Sequence, residues 1–364
     1  MDRGEQTKNS DPERPGTVHG DVGSMPWMEA DPLNALEIER AVAILRSGGL
    51  VAFPTETVYG LGARALDPMA LARIFAAKGR PATHPLIAHV LGQKDARALT
   101  TEWSAATERL AAAFWPGPLT LVVPRGQQVP LALTGGGSSV GLRAPAHPMA
   151  RALIQGLGEP IAAPSANRYQ TLSPTTAAHV AASLGDRVDL ILDGGPCSSG
   201  IESTVVDMTG NTPRILRSGA LDFPTLAAVE PALVDASPVA LALAPGAAHT
   251  APGMDRRHYA PRTELVVAAS REAAIAEARA RIRDGQRVGL LLVEGADRAA
   301  IPENVRLRAL TADPRAYAHD LFAALHDLDE GDADALDVIL VEPVPAGPAW
   351  RAIADRLRRA SELP

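Results

Sequence analysis

Residues 50–59 have the sequence LVAFPTETVY, in which an apolar run changes to a polar turn. The run 50–53 predicts a short buried strand, and Pro54 ends it because proline cannot donate a hydrogen bond to a strand ladder. The polar side chains that follow at the strand exit are Thr55, Glu56, Thr57 and Tyr59. Ligands in α/β proteins bind at such strand ends. We therefore expect a binding site here, with Glu56 as a solvent-facing turn residue rather than a base.

Apolar runs and helical patterns alternate along the next 160 residues or so. Further strands are predicted at 86–91, 119–123, 140–143, 161–163, 188–192, 204–208 and 215–216. Helices are predicted at 34–47, 67–78, 104–114, 147–156 and 174–184, the last with Ser173 as its N-cap. Several strands follow one another without a helix, so the sheet should be mixed in direction. The pattern predicts an α/β fold that begins with a twisted mixed sheet flanked by helices.

A second, smaller domain is predicted after residues 229–262, where Pro, Ala and Gly predominate as in a linker. Strands at 265–268, 287–293 and 338–341 then alternate with helices at 272–282, 315–328 and 350–359. This order predicts a doubly wound parallel-sheet domain of Rossmann-like type. It has neither a G-x-G-x-x-G nor a Walker sequence, which favours a regulatory or lid-positioning role. The predicted divisions are a disordered tail at 1–30, a first domain at 31–228, the linker at 229–262 and the second domain at 263–364.

Composition excludes several classes of protein. The formal net charge is −7, which argues against a surface that binds nucleic acid as a whole. Cys197 is the only cysteine, so an intrachain disulfide or a cysteine metal cluster is impossible and a reducing cytoplasm is the expected location. We expect no membrane span, because the sequence has no apolar run of about 18 residues. The carboxylates Asp193, Glu202 and Asp207 lack the spacing of a metal site, so any Mg²⁺ should arrive with a nucleotide.

Three short segments carry the chemistry. They are KGRP at 78–81, PSAN at 164–167 and GIESTVVD at 200–207, and they combine cations with hydroxyl and amide groups suited to a polyphosphate. Each also has a structural interpretation. Lys78 and Arg80 could simply complement a helix dipole, and the PSAN segment could be an ordinary Asx or Ser turn. Single arginines at strand ends are usually solvated, but three in one sheet domain, Arg80 after a helix with Arg143 and Arg217, could together hold a polyphosphate.

The ordered set FPTETVYGLG, KGRP, PLIAH, PSAN, SPT, GIESTVVD and RSGA resembles the YrdC-type threonylcarbamoyl-AMP synthases in their longer, two-domain form. The resemblance covers residues 33–364 and is strongest over 49–219. It implies a nucleotidyltransferase with a YrdC-like first domain that joins L-threonine, bicarbonate and ATP into L-threonylcarbamoyl-AMP and releases pyrophosphate. The product supplies the threonylcarbamoyladenosine modification of tRNA, through a downstream tRNA threonylcarbamoyl-transferase complex. Mg²⁺ accompanying ATP is implied, and neither membrane association nor stable nucleic-acid binding is expected.

The resemblance also implies roles for individual residues. Lys78 and Arg80 look like catalytic residues. The implied ATP contacts are Arg80, His84, Ser139, Ser165, Asn167, Ser173, Arg217 and Tyr259, and the implied threonine contacts are Thr57, His89, Arg143, Ala163 and Ser203. Residues 251–261 resemble a strap that closes over the substrate cleft, with His258 and Tyr259 excluding water. The sequence departs from the family pattern at Ala251, at His84 and at 168–170.

Two other functions are compatible with a YrdC-like fold. An RNA-binding module is disfavoured by the acidic net charge and by the lack of aromatic residues among the arginines. A carbamoyl-transfer enzyme is disfavoured because no metal-binding Cys or His cluster and no carbamoyl-phosphate site is visible in the sequence.

Overall fold

The computed structural model describes residues 32–236, 253, 255–330 and 335–362, so the predicted tail at 1–30 lies outside the described residues. The first part contains helices α1 (Pro32–Arg46), α2 (Pro68–Lys78), α3 (Gln93–Arg97), α4 (Ala105–Phe114), α5 (Leu131–Thr134), α6 (Pro148–Leu157), α7 (Ala177–Leu184) and α8 (Phe223–Ala227). Its strands are β1 (Val51–Phe53), β2 (Gly60–Arg64), β3 (Ile87–His89), β4 (Leu119–Pro124), β5 (Ser139–Arg143), β6 (Ile161–Ala162), β7 (Leu190–Ile191), β8 (Thr204–Asp207), β9 (Arg214–Arg217) and β10 (Val234–Asp235).

These strands form one mixed sheet in the order β10-β9-β8-β4-β5-β3-β6-β2-β1-β7. Parallel pairs such as β3 with β5 and β4 with β8 alternate with antiparallel pairs such as β4 with β5. The prediction of a mixed sheet is thus confirmed. Strands far apart in sequence become neighbours, which brings the loops after β5, β6 and β9 into one region.

The C-terminal part is a separate parallel sheet. It comprises β11 (Glu264–Val267), α9 (Arg271–Arg283), β12 (Val288–Val293), β13 (Val305–Leu310), α10 (Pro314–Asp329), β14 (Val338–Val341) and α11 (Arg351–Ala360). The strand order is β11-β14-β12-β13, and all three pairs are parallel. The predicted parallel-sheet domain is confirmed. The prediction missed β13, whose alternating arginines obscure its apolar face.

Sequence patterning also missed β2. This strand contains Gly60 and Gly62, and glycine within a strand gives a weak signal. Gly62 is required because β2 pairs with β1, and a Cβ at position 62 would lie 2.7 Å from the Phe53 ring. The N-cap of α7 was also predicted wrongly. The cap is Thr176, three residues after the predicted Ser173, and its side chain accepts a hydrogen bond from the backbone N–H of His179.

An apolar interface joins the two parts. Val58, Leu172 and Ile201 from loops of the large sheet pack in one cluster with residues of α10 and α11, including Phe322 and Ile353. Burial of this surface removes apolar area from water and stabilises the docked arrangement. The site described below lies beside this interface. Among the described residues, no helix is both long and apolar enough to cross a membrane.

Candidate active site

One cavity lies at the loops that follow the central strands of the large sheet. It is lined by Thr57, Val58, Arg80, Ile87, His89, Arg143, Ala163, Pro164, Ser165, Glu202, Ser203, Arg217, Gly253, His258 and Tyr259. The volume is about 50 Å³, enough for only a few water molecules. The five residues with implied threonine contacts all belong to this lining, as do four of the residues with implied ATP contacts.

Three arginines reach the cavity from three different elements. Arg80 follows α2, whose end is fixed by Gly79 in a left-handed conformation with φ of 64°. Arg143 ends β5 and Arg217 ends β9. All three are buried, so the alternative interpretation of solvated strand-end arginines does not apply to them. Burial lowers the pKa of the Arg80 and Arg217 guanidinium groups, as expected for cations held together away from water.

The arginines are held by specific acceptors. Arg217 donates from Nη2 to the carbonyl of Ser203 at 3.0 Å and to its hydroxyl at 3.2 Å. Arg143 pairs with a carboxylate oxygen of Glu56 at 2.8 Å, with both side chains at most 10% exposed. Glu56 is therefore a buried ion-pair partner and not the solvent-facing turn residue that the sequence predicted. Burial raises the pKa of Glu56, but the charge and hydrogen bond of Arg143 outweigh this and the net pKa is lowered.

Lys78 and Asn167 lie behind the cavity wall rather than in its lining. The Lys78 ammonium donates to the carbonyl of Ser165 at 2.6 Å and to that of Asn167 at 2.5 Å. The Asn167 amide in turn donates to the carbonyls of Arg168 and Thr171, each at 2.9 Å. These bonds fix the loop that presents Ser165 to the cavity. Burial lowers the pKa of Lys78 well below its usual range.

Several buried polar atoms of the described lining residues have no hydrogen-bond partner. They are Arg80 Nε, His89 Nδ1, His258 Nδ1 and the Tyr259 hydroxyl. Buried polar groups are nearly always satisfied, so a cluster of unsatisfied ones around a cavity indicates a polar ligand. Burial, with the nearby Arg143 charge, lowers the pKa of His89 to about 3, so this imidazole is neutral at physiological pH.

Besides Asn167, three residues with implied ATP contacts are not in the lining. His84 lies 3.7 Å from a carboxylate oxygen of Asp255, and its ring is 5.6 Å from that of Tyr169. Ser173 donates to Glu202 at 2.5 Å, and Ser139 begins β5 as a half-buried residue. The site interpretation of the sequence missed Glu202, which lines the cavity. Its position inside the GIESTVVD segment was the available signal.

The segment 255–261 covers one side of the cavity. The backbone N–H of His258 donates to the carbonyl of Arg359 in α11 at 3.3 Å, and that of Ala260 donates to Gln170 at 2.9 Å. Tyr259 has a φ of 60°, which turns its ring into the site and against the guanidinium of Arg356, 5.2 Å away. The described part of the predicted strap thus contacts both the large sheet and the C-terminal part. Residues 251, 252 and 254, including the departure at Ala251, lie outside the described residues.

Sequence comparison gives a consistent result over most of the chain. Residues 43–219 match the family described as "Telomere recombination", and residues 225–362 match "Threonylcarbamoyl-AMP synthase, C-terminal domain". The threonylcarbamoyl-AMP synthase of Pyrococcus abyssi is 42% identical over 330 residues, covering 89% of this chain and 94% of that relative. The chain belongs to the threonylcarbamoyl-AMP synthase family. The Bacillus subtilis threonylcarbamoyl-AMP synthase is 37% identical over 331 residues, covering 90% of this chain and 94% of that relative.

A solved threonylcarbamoyl-AMP synthase relative has the same fold. The crystal structure of P. abyssi Sua5 complexed with L-threonine superposes with a TM-score of 0.81 at 40% sequence identity. The match covers 90% of this chain and 94% of that chain, so it includes both sheets and their packing. Membership of the threonylcarbamoyl-AMP synthase family identifies the chain as an enzyme.

Proposed function

We propose that this protein joins L-threonine, bicarbonate and ATP into L-threonylcarbamoyl-AMP, with release of pyrophosphate. The observation that carries the proposal is the convergence of Arg80, Arg143 and Arg217 on one cavity with unsatisfied polar atoms. Three buried cations suit a ligand with several negative charges, and the cavity also offers the hydroxyls of Thr57 and Ser203. The product supplies the threonylcarbamoyladenosine modification of tRNA.

The reaction is a nucleotidyl transfer. The amine of threonine takes up bicarbonate to give a carbamate and water, and a carbamate oxygen then attacks the α-phosphorus in line while pyrophosphate leaves. We assign Arg80 and Arg217 to the phosphates and Arg143 to the threonine carboxylate, with Thr57, His89, Ala163 and Ser203 around the amino acid. Positioning and charge stabilisation supply most of the rate in such a step.

Mg²⁺ enters this proposal with the nucleotide. No group of three His, Cys, Asp or Glu side chains in the described ranges could hold a metal ion. The lining is cationic and has a single carboxylate, that of Glu202, which is already bonded to Ser173 and Arg356. The lining therefore suits the phosphate oxygens of the nucleotide and not a magnesium ion held by protein side chains alone.

We also assign a role to each part of the chain. Residues 31–228 form the catalytic domain, 229–262 the linker with its strap, and 263–364 the second domain. The remaining implied ATP contacts, His84, Ser139, Ser165, Asn167, Ser173 and Tyr259, stay assigned to the nucleotide, with Lys78 as the residue that fixes the loop of Ser165 and Asn167. The adenylate is then passed to a tRNA threonylcarbamoyl-transferase complex, and the acidic chain does not bind nucleic acid stably.

The proposal is tested by incubating the purified protein with threonine, ATP and ¹³C-bicarbonate and analysing the nucleotide by mass spectrometry. We expect labelled threonylcarbamoyl-AMP, with none formed when threonine is omitted. Arg217→Ala should abolish most of the product, whereas Arg214→Ala, an exposed arginine on the same strand, should retain it. Product from carbamoyl phosphate but not from threonine would indicate a carbamoyl-transfer enzyme. Salt-sensitive RNA binding without pyrophosphate release would indicate an RNA-binding module.

A further inference from the structure

Arg356 is an unusual residue in α11. It belongs to the C-terminal part, yet it is 1% exposed and is the first of the largest fully buried side chains among the described residues. Its guanidinium forms hydrogen bonds with residues of the large domain. Nε donates to a Glu202 carboxylate oxygen at 3.0 Å, and Nη1 donates to the carbonyl of Ser218 at 2.6 Å. A buried charge of this kind is costly unless it is paired, so these contacts hold α11 in one position.

Glu202 is the single acidic side chain among the described lining residues. One of its oxygens accepts from the Ser173 hydroxyl at 2.5 Å, and the other accepts from Arg356. A carboxylate beside Arg217 would repel a triphosphate if its charge were left unbalanced. Arg356 supplies the compensating positive charge from the side away from the cavity.

The same guanidinium also contacts the strap. It lies 5.2 Å from the centroid of the Tyr259 ring, within the range of a cation–π interaction. Among the described residues the Tyr259 hydroxyl has no hydrogen-bond partner, and the ring lines the cavity. Arg356 therefore touches both the wall residue Glu202 and the covering residue Tyr259.

We propose that Arg356 is a positioning residue through which the C-terminal domain completes the ATP site. It neutralises Glu202, beside the Tyr259 ring that it also contacts, so that the cavity accepts a triphosphate only when α11 is docked. This inference rests on the proposed function, since it assumes that the cavity binds ATP. It gives the C-terminal domain a defined part in the reaction although none of that domain's described residues lines the cavity.

The test measures ATP affinity by calorimetry and steady-state KM values for ATP and threonine. Arg356→Met keeps the apolar stem and removes the charge, and we expect at least a tenfold weaker ATP affinity with a threonine KM within threefold of wild type. The double variant R356M/E202Q removes both charges and should bind ATP within threefold of E202Q alone. The matched control is Arg358→Ala, which removes a 40% exposed arginine from the same helix and should bind ATP as wild type does.

The possible results distinguish a failure of the inference about Arg356 from a failure of the proposed function. If wild-type protein makes threonylcarbamoyl-AMP and R356M binds ATP normally, Arg356 has no part in the site and the inference fails. If R356M does not fold, the comparison between R356M/E202Q and E202Q still tests whether Arg356 acts through Glu202. A double variant that binds ATP tenfold more weakly than E202Q would mean that Arg356 does not act through Glu202. If wild-type protein makes no adenylate, the proposed function fails first.

Discussion

Lys78 and Arg80 lie two positions apart but act on different parts of the site. Arg80 reaches the cavity itself, whereas Lys78 holds the carbonyls of Ser165 and Asn167 behind it. Loss of Lys78 would leave two buried carbonyls without a donor, which costs about 1–3 kcal/mol per group and releases the loop. Loss of Arg80 would remove a preorganised charge from the phosphate site.

We therefore expect Lys78→Ala and Arg80→Ala each to lower the rate of pyrophosphate release by roughly a hundredfold or more, the scale of removing one preorganised stabilising donor. The measurement is a coupled pyrophosphate assay at saturating ATP, threonine and bicarbonate. Lys94→Ala and Arg73→Ala remove exposed cations from α3 and from α2 and serve as controls. Turnover near the wild-type rate in both test variants would contradict their assignment.

Single residues were predictable where a local pattern carried the information. Arg80, Arg143 and Arg217 stand next to polar loops in sequence, and the fold brings all three to one cavity. Glu56 was interpreted wrongly because its partner Arg143 belongs to a strand distant in sequence. Arg356 was missed because its partner Glu202 is 154 residues away and α11 carries no motif. Contacts between distant residues leave no local trace in one sequence.

At the scale of elements, strands with continuous apolar runs were predicted well and strands with mixed composition were not. β12 is buried throughout and β4 is buried except at Pro124, and both match their predicted positions closely. β2 contains two glycines and β13 two arginines, so both lack the run of β-branched residues that marks a strand. The site residues were still found because they lie where elements end, and Pro54 and Gly79 marked the ends of β1 and α2 in the sequence.

The strap is an element whose contacts predict a role in turnover. Deleting residues 251–261 should lower adenylate synthesis by about a hundredfold, because Tyr259 and His258 form one wall of the cavity and misplaced groups cost this much. The large sheet should remain folded, as its strands pair without the strap. Pyrophosphate release measures the first expectation, and circular dichroism with urea unfolding measures the second.

A Gly-Ser segment of the same length provides the control for the strap. It keeps the two parts tethered but removes the ring contacts of Tyr259 with His258 and Phe322. We expect it to be as inactive as the deletion. Normal synthesis with the Gly-Ser segment would mean that residues 251–261 serve only to connect the domains.

At the scale of the whole molecule, two histidines stack across the interface between the two parts. His179 of α7 and His326 of α10 have ring centroids 3.8 Å apart, and His326 bonds the carbonyl of Ser173 through Nε2 at 3.1 Å. Burial lowers the pKa of both, that of His326 to about 4, and the neighbouring imidazole adds to the effect on His326. The acidic groups Asp327, Asp329 and Glu330 oppose the shift without reversing it.

Because of this histidine pair, the free energy of unfolding should fall as the pH is lowered. The folded-state pKa of His326 lies below its unfolded value of about 6.5, so the unfolded chain binds more protons between the two values. The stabilising contribution is complete above pH 6.5 and is lost as the pH falls toward 4. Between pH 7 and pH 5 the loss from His326 should be about 1–2 kcal/mol in the free energy of unfolding, measured by urea titration.

His326→Gln keeps a side-chain donor for the Ser173 carbonyl but cannot be protonated, so its unfolding free energy should fall less between pH 7 and pH 5 than that of wild type. His319→Gln removes a 41% exposed histidine from the same helix and should leave the wild-type pH dependence intact. Equal slopes for H326Q and wild type would mean that the stacked pair is already solvated in the folded state. Because the pair spans α7 and α10, a reduced slope in H326Q would also show that the two parts unfold as one unit, since a domain that separated first would expose the imidazoles before unfolding.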